Sequence, residues 1–222
     1  MTVSDWPRRG AAVNEEDRAA AGAQPGRRER NKQRVRSRLY SSAMQLFTEK
    51  GYEQTSIEEI AEAADVARGT FFNYFQHKED LITAWGDSRR SQLRQGLADT
   101  EADGADDLRS TLERCMGVLA RVNEAEREMS RAMLTAWVKA GRPLIEEPYA
   151  GEIFAETVEA ARTRGETRPA VEPRQVGNFL RDGYLGTLYR WCQQEKVDEG
   201  DLHSELLALT EIVLSGVTLS RA

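Results

Sequence analysis

The sequence predicts an all-α protein in which a three-helix unit is followed by a larger helical domain, about nine helices in all. Three observations carry this. Apolar residues recur at helical spacing from Val35 almost to the C-terminus, and no segment alternates apolar and polar residues with period two. Near the start, two short helical patterns joined by a tight turn follow a longer amphipathic one.

Residues 1–26 mix Pro, Gly, Ala and charges without a period, and read as a disordered arm. The first helix follows, with Val35, Leu39, Ala43, Leu46 and Phe47 on one side and a stop at Gly51 after Lys50. Its opening run, RRERNKQRVRSR from Arg27 to Arg38, holds seven basic residues against one glutamate. In the second helix, Ser56 and Glu59 have capping-box spacing, with Thr55 and Glu58 as the alternative register, and Ile57, Ile60, Ala61 and Ala64 make an apolar face. The stretch ADVA interrupts the pattern, and a third short helix is expected from Arg68 through Phe75. Beyond it the spacing predicts helices over about 78–99, 105–122, 126–141, 144–165, 173–196 and 200–220. The breaks are DGAD, NEAE, GRP, RGETRPAVEP and VDEGD, and Pro148 disturbs the first turns of the helix predicted from 144.

Composition narrows the function classes. The 222 residues carry a formal charge of −6, which argues against indiscriminate coating of nucleic acid. Residues 27–80 nevertheless sum to +1 and the remainder to −7, so one end can approach a polyanion. Cys115 and Cys192 lie far apart and outside any CxxC pattern, which suggests neither a disulfide nor a zinc site. No apolar run approaches membrane-spanning length and no secretory leader is visible, so a cytoplasmic protein without membrane association is expected. His77 and His203 have no metal-ligand spacing, no phosphate loop or nucleophile elbow occurs, and pairs such as Glu58 and Glu59, or Glu146 and Glu147, point to different sides of a helix. No enzyme, no catalytic residue, no metal and no cofactor is expected.

The third helix carries the chemistry. At 100° per residue Phe71 and Phe75 fall together on one side, while Gly69, Thr70 and Asn73 fall roughly opposite and Phe72 and Tyr74 flank them. Two aromatics go to a core and a polar face is left outside. Two short helices joined by a tight turn and packed on a third form the helix-turn-helix arrangement, whose second helix enters the major groove of double-stranded DNA. There Arg68 could pair with guanine and Asn73 with adenine.

The run TSIEEIAEAADVARGTFFNYFQHKEDL, preceded by AMQLFTEKGYEQ, resembles the N-terminal DNA-binding region of the TetR family of bacterial transcriptional regulators. The likeness rests on Phe47, Gly51 and Tyr52, then Thr55, Ile60, Ala61, Ala64 and Val66, then Gly69, Thr70, Phe75, Lys78, Glu79 and Leu81. It implies base or phosphate contacts at Arg68, Gly69, Thr70, Phe72 and Tyr74, and phosphate contacts at Thr55 and Lys78. Three positions depart from the family pattern. Asp65 stands where glycine is usual and must hold the turn in a left-handed or nearby conformation. Ala67 replaces a capping Ser or Thr, and Phe72 replaces a tyrosine and lacks its hydroxyl.

The last two helices, VGNFLRDGYLGTLYRWCQQ and LLALTEIVLSGVTL, are apolar on more than one face. Such helices need more than one partner surface, which predicts a homodimer through them, with Gly177, Gly183 and Gly186 allowing close approach. Two copies would then read a palindromic operator. The resemblance implies the same dimer and a small-molecule effector cavity, for which Met133, Trp137, Phe154 and Tyr184 are the candidate walls. The expected organisation is thus an arm at 1–26, a helix-turn-helix DNA-binding domain at 27–77 and an effector-binding and dimerisation domain at 78–222. The expected function is repression released by an apolar or amphipathic effector; the alternative is an effector-independent activator or an architectural DNA-binding protein.

Overall fold

The structure, a computed structural model, describes residues 26–98, 107–141 and 149–218. Among these the helices in order are α1 (Arg27–Lys50), α2 (Ile57–Ala63), α3 (Arg68–Phe71), α4 (Asp80–Ala98), α5 (Leu108–Ala125), α6 (Arg127–Lys139), α7 (Tyr149–Thr163), α8 (Pro173–Gln193) and α9 (Asp201–Val217). The expected all-α architecture holds, and the only β-pairing among the described residues is an isolated bridge between Thr167 and Thr218. The arm expected at 1–26 lies outside the described residues except for Gly26, as do the DGAD break and residues 142–148 around Pro148.

Contacts group the chain into two units that divide between Arg38 and Leu39. In the first unit, residues 27–34 of α1 are exposed. In the second, Leu39, Ala43, Met44 and Phe47 of α1 are buried, as are Ile60, Ala61 and Ala64 of α2 and Phe71 and Phe75 at α3. Each large side chain so buried contributes about 1.5–3 kcal/mol.

Helix α2 starts on the expected capping box: the Ser56 hydroxyl accepts from the Glu59 N–H at 3.2 Å, and the Ser56 N–H donates to the Glu59 carboxylate at 2.8 Å. It ends in a Schellman motif. The Asp65 N–H donates to the Glu62 carbonyl at 2.9 Å and the Val66 N–H to the Ala61 carbonyl at 3.0 Å, with Asp65 left-handed at φ 52°. Ala67 then caps α3 with no side-chain bond. The third helix is shorter than the spacing predicts. Its α-helical residues end at Phe71, and the turn is carried on by the Asn73 N–H donating to Thr70 and by the Tyr74 and Phe75 N–H groups both donating to Phe71. Phe75 therefore still reaches the core, through two tighter three-residue turns and a closing four-residue one.

The larger core is one contiguous cluster built from Leu112, Cys115, Met116 and Leu119 of α5, Phe154 and Val158 of α7, Leu180, Tyr184, Leu188 and Trp191 of α8, and Leu202, Leu206 and Leu214 of α9. Helix α7 on α8 is the most extensive helix pair. Gly177 explains how close they come: a Cβ there would lie 2.7 Å from the Ala155 nitrogen. A Cβ at Gly183 would lie 2.8 Å from Leu209 of α9. These two glycines thus serve close packing within the chain, on the inner side of α8.

Candidate nucleic-acid interface

The candidate interface is the outer side of α3 and the turn that continues it. Phe71 and Phe75 point inward, their ring centres 5.7 Å apart, and this fixes what is left outside. Arg68, Gly69, Phe72 and Asn73 are exposed, and Thr70 and Tyr74 are half-buried. Phe72 is an exposed large apolar side chain, 41% accessible. At Gly69 an added Cβ would meet nothing within 4 Å, so nothing in the protein itself demands glycine there. An open backbone face beside a guanidinium and a carboxamide matches what a helix needs to approach base edges closely.

Arg68 is already engaged. Its Nε pairs with the Glu58 carboxylate of α2, and its guanidinium lies 5.3 Å from the Phe72 ring centre. Glu58 is held below its ordinary carboxylate range, first by its own backbone hydrogen bond and then by Arg68. Beside it, Lys50 and Ser56 bring the Glu59 carboxyl down to about 2, with Lys50 the larger cause. Neither pairing is visible from helical spacing, since Lys50 to Glu59 and Glu58 to Arg68 each join different helices.

The two residues expected at flanking phosphates are placed differently. Thr55 is buried, 1% exposed, and its hydroxyl donates to the Gly51 carbonyl at 2.9 Å. In this conformation its side chain offers almost no surface to a phosphate. Lys78 is half-buried: Nζ donates to the carbonyls of Tyr52 at 2.7 Å and Thr55 at 2.9 Å and lies 4.1 Å from the Tyr52 ring centre. Burial pushes its pKa below the ordinary lysine value. Two of its three donors thus hold the α1–α2 loop.

The same loop is gripped from α6. Lys139 Nζ reaches the Glu53 carboxylate at 2.6 Å, and the Thr48 hydroxyl lies 3.6 Å from the Met129 sulfur. A groove of about 350 Å³ runs between these elements, lined by Lys50 to Gln54 on one side and Arg131, Thr135 and Lys139 on the other.

Of the residues expected to wall an effector cavity, Phe154 and Tyr184 are buried in the main cluster, Met133 is buried outside it, and Trp137 is half-buried. Sequence spacing gave no sign of the polar node beside Tyr184. Its hydroxyl lies 3.1 Å from Nδ2 of the buried Asn123, which also donates to the Leu119 carbonyl, while the Ser130 hydroxyl donates to Asn123 Oδ1 at 2.8 Å. Burial pushes the Tyr184 phenol up to about 12, and the nearby Arg89 opposes that shift. Arg89 is itself 4% exposed, pairs with Glu126 at 2.8 Å and lies over Trp85. The thiols of Cys115 and Cys192 are buried and pushed up to about 12 and about 11, so neither is a ready nucleophile.

Residues 39–85 match the family described as bacterial regulatory proteins, tetR family. Over 57 residues the chain is 46% identical to the HTH-type transcriptional regulator TcmR of Streptomyces glaucescens, covering 26% of this chain and only 25% of TcmR. Over 209 residues it is 25% identical to the HTH-type transcriptional repressor KstR of Rhodococcus jostii strain RHA1, covering 92% of this chain and 90% of KstR. Among solved structures, FadR of Thermus thermophilus, a TetR family transcriptional repressor in complex with lauroyl-CoA, is 28% identical with a TM-score of 0.65, covering 84% of this chain and 97% of that one. These relatives are regulators and not enzymes, in agreement with the expectation from the sequence.

Proposed function

We propose that this chain, whose residues 39–85 match the tetR family of bacterial regulatory proteins, is a dimeric, cytoplasmic repressor of that family that reads a palindromic operator and leaves it when a small amphipathic molecule binds. The observation that carries the reading is the outer side of α3. Its inner aromatics are consumed by the core, while Arg68, Gly69, Phe72 and Asn73 are presented together on an open surface. Arg68 and Asn73 take base edges, Gly69 lets the backbone approach, and Thr70, Phe72 and Tyr74 line the groove wall and its phosphates. Lys78 offers its remaining donor to a phosphate beside the helix, and Thr55 acts through the loop it braces.

The dimer reading draws on what α8 and α9 leave uncovered. Phe179, Tyr189 and Ile212 are 60%, 46% and 68% exposed on helices whose other sides are buried. A second copy is the partner that a two-fold operator requires.

The effector reading draws on the second core. Phe154 and Tyr184, with Met133 and Trp137 as further walls, would border an apolar chain, and the Asn123–Tyr184–Ser130 node with Arg89 nearby would meet a polar head. A molecule favouring the conformation with the wrong half-site spacing lowers operator affinity by the same coupling factor. No described helix is long and apolar enough to cross a membrane.

Footprinting on the DNA flanking the gene tests this reading. Protection of one or a few inverted repeats is expected; uniform protection of unrelated sequences at similar concentration would replace it with an architectural role.

A further inference from the structure

At one place in the larger core, buried hydrogen-bond donors outnumber their acceptors. Trp85 and Arg89 stand one turn apart on α4, on the stripe that carries the buried Leu93 a turn later, and the Arg89 guanidinium lies 5.2 Å from the Trp85 ring centre. Arg89 is 4% exposed. Its terminal nitrogens are taken, Nη1 by Gln92 Oε1 at 3.2 Å and Nη2 by Glu126 at 2.8 Å, but its buried Nε–H has no acceptor among the described residues. The buried Trp85 indole N–H has none there either. Tyr184 supplies a third donor: its oxygen accepts from Asn123 Nδ2, and its own proton meets no acceptor among the described residues.

These donors share one neighbourhood. The Glu126 N–H donates to the Asn123 carbonyl at 3.3 Å and the Ser130 N–H to the Glu126 carbonyl at 2.9 Å, so the partners of Arg89 and Tyr184 sit on adjoining turns where α5 meets α6. Arg89 is also close enough for its charge to act on the Tyr184 hydroxyl. Asn123 Oδ1 is already engaged by Ser130. Buried donors left without acceptors are costly, and a guest rich in acceptors with no proton of its own satisfies them; an ammonium head would only add donors.

We propose that the effector carries a carboxylate head, received by the Arg89 Nε–H, the Trp85 indole N–H and the Tyr184 hydroxyl. This deepens the effector reading above and rests on it. A carboxylate offers about four lone-pair sites to three donors, and bonds from a guanidinium to it are among the strong ones. The Glu126 side chain is 55% exposed, so water screens its charge, whereas the Nε edge of Arg89 lies inside. A dianionic phosphate would crowd a second charge beside Glu126.

Calorimetric titration of the full chain compares octanoate with octan-1-ol, and 2-naphthoate with 2-naphthylmethanol, so that the head changes while the apolar body does not. The carboxylate of each pair should bind about ten- to hundredfold more tightly, the range of charged hydrogen bonds. Trp85→Phe and Tyr184→Phe each keep a ring and remove one donor; either should weaken the carboxylates about tenfold and leave the alcohols nearly unchanged. A core that is merely loosened would weaken acid and alcohol together. Arg89→Gln should abolish the preference, and if that variant does not fold the two Phe variants decide. Equal affinity for acid and alcohol, or a ratio that none of the folded variants moves, overturns the carboxylate head and leaves the effector reading standing with another chemistry. If none of the four probes binds, the core is not an effector site and both readings fall.

Discussion

The ammonium of Lys78 sits 4.1 Å from the ring centre of Tyr52 while donating to the Tyr52 carbonyl at 2.7 Å. A charge shared between a ring face and two carbonyls holds a loop as well as any phosphate. Lys78→Ala is expected to cost about 1–3 kcal/mol of stability from lost charged hydrogen bonds and the cation–π contact. Urea denaturation checks it; an unchanged midpoint would leave Lys78 as a surface cation only.

Arg68 pairs with Glu58, so on the proposed reading Glu58 competes with DNA phosphates and bases for the Arg68 guanidinium. Arg68→Ala should weaken specific operator binding by about 1–3 kcal/mol without altering the fold. Glu58→Gln frees the guanidinium and removes a carboxylate near the phosphates, so operator affinity should rise by up to about tenfold while stability moves by less than about 1 kcal/mol. Electrophoretic mobility shifts with both variants decide it; a weaker Glu58→Gln complex would mean that the pair positions Arg68 for DNA.

Asp65 is left-handed at φ 52° in a motif that favours glycine. Asp65→Gly should stabilise the protein by about 1 kcal/mol, because the side chain pays a steric cost at that backbone angle. Calorimetry should show a rise of a few degrees; a fall would mean that the aspartate side chain repays its strain.

Glu59 gives a pH dependence with a definite sign. Its carboxyl falls from the ordinary 4.5 to about 2 in the folded protein, chiefly through Lys50. A depressed carboxyl contributes stability above its unfolded pKa and loses it as pH falls through the folded value, so the contribution fades between about 4.5 and 2. Glu59→Gln should flatten that part of a denaturation-midpoint profile; an unaltered profile would assign the acid sensitivity to other carboxylates.

Phe179 and Ile212 are the most exposed large apolar residues described on α8 and α9. Phe179→Glu or Ile212→Glu should shift the protein from dimer to monomer in sedimentation velocity and lower operator affinity, with secondary structure retained. A dimer of undiminished strength in both variants would place the interface elsewhere.

The parts of this fold legible in the sequence are those set by neighbours along one helix. Phe71 and Phe75 declared the inner side of α3 because four residues make about one turn, and Ser56 with Glu59 announced the start of α2 by spacing alone. The left-handed turn at Asp65 follows from the family resemblance, in which glycine is usual at that position. What stayed hidden depends on partners distant in sequence. Nothing near Arg89 foretells Glu126, 37 residues on. Nothing near Gly177 foretells the backbone of Ala155 against it. The family resemblance implies a phosphate contact for Lys78, and only the three-dimensional path of the α1–α2 loop reveals the carbonyls its ammonium meets.

That loop, residues 51–55, has two anchors of independent origin: Lys78, just before α4, and Lys139 at the end of α6. On the proposed effector-released reading, a displacement along either helix would be delivered to the same five residues, immediately before the cap of α2, and the loop would work as a summing junction. Cutting one anchor should halve a signal and not silence it, so single substitutions here would look deceptively mild and only the double variant would disconnect DNA reading from the rest of the chain.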